Sequence, residues 1–86
     1  MEAYLGQIIL FSNNYTPKDW LPCDGRELEF KEYMALGVVL GRELPEGVKY
    51  ERDLPSDLKF SIPLLESPNS ELQYIICVNG NFPSRP

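Results

Sequence analysis

Histidine is absent from the 86-residue sequence, and cysteine occurs only twice. Histidine is the commonest general base and the commonest metal ligand in proteins, so the sequence offers neither a histidine-based active site nor a histidine metal cluster. Two thiolates cannot complete a structural zinc site, which takes four cysteine or histidine ligands. We therefore expect a protein that is not an enzyme, with no catalytic residues, no metal and no cofactor.

Basic residues are scarce as well. Eight lysines and arginines stand against thirteen aspartates and glutamates, which gives a formal net charge of −5. Proteins that bind nucleic acid gain much of their affinity from basic side chains at phosphates, and here the basic residues are scattered along the chain. The sequence therefore predicts no nucleic-acid partner.

Long apolar runs are missing too. The run from Ile8 to Phe11 is too short for a membrane span or for the apolar region of a signal peptide. The opening Met1-Glu2-Ala3 also lacks the basic start of such a peptide. We therefore expect no membrane insertion, and synthesis in a cytoplasm without a signal peptide.

Length and composition instead predict one small folded domain over residues 1–86. The chain is 43% hydrophobic and holds eight prolines and six glycines, which favours turns and short strands over long helices. A chain of this size buries only about 60–65% of the surface that its unfolded form exposes. Its margin of stability is therefore expected to be thin.

The two cysteines, Cys23 and Cys77, allow two interpretations. A disulfide between them would close a long loop and add about 4 kcal/mol in the chain-entropy model. Alternatively, both are buried thiols, because free cysteine is among the most buried residue types. The second interpretation is favoured.

Strand patterns occupy both ends of the chain. Residues 4–11 combine apolar and β-branched side chains and predict a largely buried strand. Residues 72–78 form the strongest strand pattern, which ends at Asn79-Gly80. Residues 60–65 are extended and apolar, and Pro63 favours a sheet edge because proline cannot donate a ladder bond.

Helical periodicity appears only between these strands. Over residues 31–40, Tyr33, Leu36 and Leu40 fall on one face, and Gly41 stands where a C-terminal cap belongs. Residues 42–59 that follow are rich in charge and predict a solvated, variable loop with one short strand near 48–50.

The Cys23-Asp24-Gly25 segment predicts a tight turn, because glycine accepts positive φ and aspartate bonds its own backbone. Trp20 is expected to pack over this turn as part of the core, rather than to stack on a sugar ring. Asp24 with Glu27 or Glu29 resembles a glycosidase carboxylate pair only superficially, so a turn role is favoured.

Three separated motifs together resemble the phage tail collar family. The first comprises Gly6-Gln7-Ile8, Trp20 and Cys23-Asp24-Gly25. The second comprises Leu28-Glu29-Phe30, Ala35-Leu36 and Leu40-Gly41. The third comprises Tyr74-Ile75-Ile76 and Gly80-Asn81-Phe82-Pro83-Ser84-Arg85. The chain departs from the family pattern at Asp19, where glycine is usual, at Cys77, where alanine is usual, and in lacking a glycine-rich middle loop.

The resemblance implies an α+β fold: a small, mostly-β collar-type domain in which one short helix packs on a sheet that pairs the N- and C-terminal strands. It implies a structural or assembly component of a phage tail fibre, baseplate or tail-derived appendage. Such a component acts by self-association, with a trimer favoured, and contacts other tail or fibre proteins. Its expected location is the virion tail or an extracellular appendage, after synthesis in the bacterial cytoplasm.

The alternative function is a saccharide- or host-receptor-binding module that uses the 42–59 loop, with Tyr15 and Tyr50 as possible contacts. Arg85 is interpreted as an inter- or intramolecular anchor, since a guanidinium binds carboxylates bidentately, with a frayed chain end as the alternative. The structural and interface candidates are Gly6, Trp20, Cys23, Asp24, Gly25, Leu36, Gly41, Tyr74, Gly80, Phe82, Pro83 and Arg85.

Overall fold

The computed structural model describes residues 3–82 of the chain. Within this range the elements are β1 (Ile8–Ser12), β2 (Trp20–Pro22), β3 (Glu27–Glu29), helix α1 (Met34–Val39), a 3-10 turn (Glu51–Asp53), β4 (Lys59–Ser61) and β5 (Leu72–Cys77). Two small sheets and one short helix confirm the expected α+β class. In these residues no helix has the length and apolar character that crossing a membrane requires.

Strand β5 lies at the centre of a three-stranded antiparallel sheet in the order β1-β5-β2. Ile8 lies opposite Ile76 in the β1–β5 register, which confirms the expected pairing of the first and last strands. The Gly6 N–H donates to the Cys77 carbonyl at 2.9 Å, and the Cys77 N–H donates to the Gln7 carbonyl at 2.9 Å. Gly6 and Gln7 therefore both lie opposite Cys77, and this arrangement is a β-bulge at the start of β1.

Both faces of β5 are buried, because its apolar residues are continuous rather than alternating. Ile76 belongs to the main core, whose buried members are Leu5, Cys23, Phe30, Leu36, Leu54, Phe60, Ile62, Ile76 and Val78. Ile75 and Cys77 point the other way and pack with Trp20 in a second cluster. The central strand therefore holds two apolar clusters together.

Strand β1 differs from its prediction. It begins at Ile8 rather than Tyr4, and Tyr4 makes only an isolated bridge to Asn81. The expected burial is also wrong, because Ile8 is 38% exposed and Leu10 43% exposed. The reason is position: β1 is an edge strand, so only one side of each of its residues is covered by β5.

The second sheet pairs β3 with β4 and places Leu28 opposite Phe60. The Phe60 ring meets the Phe30 ring edge-on, with centroids 5.1 Å apart, an arrangement that favours aromatic pairs. The expectation of a sheet-edge strand in 60–65 is confirmed in part, since β4 ends at Ser61.

Helix α1 is shorter than the predicted 31–40 and begins at Met34. Its N-cap position, Tyr33, makes no side-chain capping bond, so nothing in the sequence extends the helix toward residue 31. Its C-terminus is as predicted. Gly41 has φ +77°, its N–H donates to the Val38 carbonyl, and the Arg42 N–H donates to the Gly37 carbonyl at 2.9 Å, which is a Schellman cap.

The 42–59 loop is anchored more firmly than the sequence predicts. No strand forms at 48–50; a 3-10 turn follows instead at Glu51–Asp53. Leu54 directly after this turn is only 3% exposed and belongs to the main core. The predicted fully solvated loop is therefore wrong at this residue, because burying Leu54 offsets the cost of ordering the loop.

Gly37→Ala is expected to destabilise the fold by about 1–3 kcal/mol through overpacking. A Cβ at this buried position would lie 2.8 Å from two atoms of the Phe30 ring, and this clash outweighs the higher helix propensity of alanine. Urea denaturation measures the effect, with Val38→Ala at an exposed position of the same helix as the control. Equal midpoints for the two variants would contradict the packing described here.

Candidate functional site

The Cys23-Asp24-Gly25 segment forms the turn that its sequence predicts. The Asp24 carboxylate accepts bonds from the Arg26 N–H at 3.2 Å, from Arg26 Nε at 3.0 Å and from Arg26 Nη2 at 2.8 Å. The Arg26 side-chain bond lowers the pKa of Asp24, and Asp24 raises the pKa of Arg26. The carboxylate is thus held ionised within its own turn, which suits a structural role rather than acid–base chemistry.

Trp20 lies on the opposite side of the sheet from its predicted position. It stands opposite Cys77 in the β2–β5 register, and cross-strand partners share a face. Leu64, not Trp20, lies against Gly25 in the turn. Trp20 is 6% exposed within the second cluster, so its ring presents no open face to a sugar, and its expected role as a core residue is confirmed.

The two cysteines are both free and buried, as favoured above. Cys23 belongs to the main core and Cys77 to the second cluster, so the sheet separates them. Burial, and secondarily the Asp24 charge, raises the pKa of Cys23. Burial also raises the pKa of Cys77 and outweighs a backbone hydrogen bond at Asn79 that lowers it. Both thiols therefore stay protonated and unreactive at neutral pH.

Asp19 occupies strained backbone at the mouth of a cleft. Its φ is +70°, a conformation that favours glycine. Its carbonyl accepts the Val78 N–H at 2.8 Å, and its Oδ1 accepts the Asn79 side-chain amide at 3.3 Å. The cleft, of about 470 Å³, lies between this end of the sheet and the start of α1, where Glu32 and Tyr33 line it.

The two proposed ligand-contact tyrosines lie on separate segments. Tyr15 is 56% exposed, and its ring packs edge-on to Phe11 of β1 at 6.4 Å. Tyr50 is 57% exposed in the 42–59 loop, and the Arg52 guanidinium lies 4.8 Å from its ring centroid. One face of Tyr50 is therefore already occupied by a cation. Tyr50 also borders a shallow depression of about 450 Å³ with Lys31 and Glu51.

Most of the other candidates from the sequence stabilise the fold. A Cβ at Gly6 would lie 2.8 Å from a Val39 methyl, and one at Gly80 would lie 2.7 Å from the Ala3 carbonyl oxygen. Leu36 is in the main core, Tyr74 packs against it, and Gly41 caps the helix. Phe82 is 62% exposed. Pro83 and Arg85 lie outside the described residues, so their interface roles stay predictions.

The outer edge of β1 is a surface that the sequence motifs do not mark. Residues 3–17 and 72–82 contain no charged side chain, and these two segments pair with each other through β1 and β5. Their exposed large apolar side chains are Tyr4, Ile8, Leu10, Tyr15 and Phe82. The signal was present in the sequence as a long uncharged run around an apolar strand.

Among the described residues, no group of three or more thiol or carboxylate side chains is gathered closely enough to hold a metal ion. The candidate functional features are therefore surfaces: the uncharged edge of β1, the Asp19 cleft and the Tyr50 loop.

Comparison with known proteins gives one family. The phage tail collar domain matches residues 6–51, more than half of the chain, from the bulge before β1 to the start of the 3-10 turn. The third sequence motif, in 74–85, lies beyond the matched region. Neither the curated proteins nor the solved structures give a significant match.

Asp19→Ala is expected to lower the free energy of unfolding by about 1–2 kcal/mol. Alanine keeps a Cβ at positive φ and loses the bond from Asn79. Asp19→Gly is expected to stay within about 1 kcal/mol of the parent, because glycine accepts this φ but gains entropy in the unfolded chain. Chemical denaturation of both variants checks this, and an alanine variant as stable as the glycine variant would refute the strain.

Proposed function

The chain belongs to the phage tail collar domain family, and from that premise we propose that it acts as a non-enzymatic assembly subunit that associates with copies of itself. Family membership gives it a structural role in a phage tail fibre, a location in the virion tail and other tail proteins as neighbours. We propose three copies, because collar-type proteins commonly assemble as trimers, and one domain over residues 1–86.

The observation that carries the proposed self-association is the exposure of large apolar side chains on a very small body. Among the described residues these include Leu10 at 43% and Phe82 at 62% exposure. Small domains have too little core to be comfortably stable alone and often gain burial by oligomerising. Exposed apolar surface on such a domain supports a contact surface rather than chance exposure.

A second candidate function is binding of a saccharide or host receptor through the 42–59 loop. The observation in its favour is Tyr50, which projects beside the 450 Å³ depression and keeps one ring face free of Arg52. An open aromatic face suits the C–H surface of a sugar. Anchoring of the loop through Leu54 would hold such a contact in place.

Self-association is checked by light scattering coupled to size-exclusion chromatography, and by sedimentation velocity over a range of concentrations. We expect a mass near three times the 9.9 kDa of one chain, because the exposed apolar side chains then leave water. A mass near that of a dimer would support self-association but would show that the proposed number of three copies is wrong. A chain that stays monomeric at the highest concentration reached would remove the proposal.

A glycan array separates the two functions. If the chain is purely structural, the array stays blank. Binding that Tyr50→Ala abolishes and that the matched Tyr15→Ala retains would instead establish the second function, because both tyrosines are equally exposed and only Tyr50 lies in the loop.

A further inference from the structure

The outer edge of β1 has backbone groups without partners in the described residues. The Cys77 N–H donates to Gln7, and the Asn13 N–H donates to Glu71, so odd-numbered β1 residues face β5. In an antiparallel ladder the alternate residues turn their N–H and C=O groups the other way. Ile8 and Leu10 therefore present theirs outward, and within residues 3–82 no backbone bond outside the β1–β5 ladder involves them.

This edge also lacks the features that keep monomeric proteins from pairing. Edge strands are usually protected by charged side chains, by proline or by a bulge within the strand. Ile8–Ser12 contains no charge and no proline, and its bulge at Gly6-Gln7 lies before the strand. An unprotected edge that also exposes apolar side chains is a surface on which a further strand can add.

We propose that this uncharged edge of β1 is where one copy of the chain meets another, with β1 of one copy beside the same segment of the next. The inference rests on the proposed self-association and names its surface. It concerns the position of the contact. Two β1 edges that pair as strands close a dimer, whereas three copies would bring the exposed side chains of β1 together around a threefold axis, and the mass measurement described above decides between these two arrangements.

Charge identifies a second copy as the occupant. Each copy carries a net charge of −5, so two copies repel each other wherever their acidic surfaces face. Every charged residue of the described chain lies between Lys18 and Glu71. The free edge of β1 lies within the uncharged segment 3–17, so two copies that meet there bring no charged side chain of that strand into the contact.

The exposed aliphatic residues outside β1 do not lie in an uncharged segment. Leu64 forms a bridge with Asp24, and Leu65 directly precedes Glu66. Val38 lies on α1, shortly before the Arg42 and Glu43 that open the charged loop. These side chains are therefore isolated apolar residues close to charged ones, and they do not belong to the uncharged edge of β1.

Leu10→Lys tests the surface. Lysine on an edge strand is compatible with the fold but places like charges together when two copies meet. We expect the dissociation constant of the assembly, measured by sedimentation, to rise at least about tenfold. The matched control is Val38→Lys, because Val38 is also 43% exposed but lies outside the edge; it should assemble like the parent.

A second pair covers the case in which Leu10→Lys misfolds. Ile8→Lys lies on the edge at 38% exposure, and Leu65→Lys lies off it at 39%; only the first should disrupt assembly. Circular dichroism and melting temperature confirm that each variant is folded. If folded edge variants assemble like their controls while the parent still oligomerises, the edge is refuted and the proposed function stands. A monomeric parent refutes both.

Salt provides an independent test on the unmodified chain. Between about 0.01 M and about 1 M salt, the Debye length falls from about 30 Å to about 3 Å. Screening then weakens the repulsion between copies and leaves an uncharged contact untouched, so association should tighten. Association that weakens with salt would indicate ion pairs across the interface and would overturn the proposal.

Discussion

The burial of β5 on both of its faces is the constraint on which the rest of the structure depends. Ile75, Ile76 and Cys77 are completely inaccessible to solvent, and no single apolar layer can achieve that. Two clusters must lie on either side of the strand, and two strands must flank it to satisfy its backbone. Strand β1 and strand β2 supply those flanks, so the two ends of the chain meet.

The same constraint explains the glycines of the family motifs. At Gly6 the chain turns into β1 at positive φ, close against a Val39 methyl. At Gly80, just beyond β5, a side chain would strike the Ala3 carbonyl. These two glycines of the sequence motifs therefore let the backbone close around β5. The motifs therefore mark residues that build the fold, whereas the surface that we propose for assembly is the free edge of β1.

What the sequence predicted well follows from strong local patterns. The apolar run of β5 and the glycine that caps α1 carry their own structural signal, and both were predicted. The side of the sheet on which Trp20 lies depends on strand register, which a change of one residue inverts. The burial of Leu54 depends on where a charged loop returns to the core. The uncharged β1 edge was readable from composition but takes meaning only once β1 is known to be an edge strand.

Topology and charge are therefore linked in this chain. Strand β5 has no charged residue because it is central and largely buried, and β1 beside it has none either, although its own side chains are partly exposed. All charged residues of the described chain lie between Lys18 and Glu71, so the free edge of β1 carries no charge. The net negative charge favours separate copies, whereas the uncharged edge of β1 adds no repulsion of its own where two copies meet. Burial of one central strand thus leaves β1 as an uncharged free edge, and this edge is the surface that we propose for assembly.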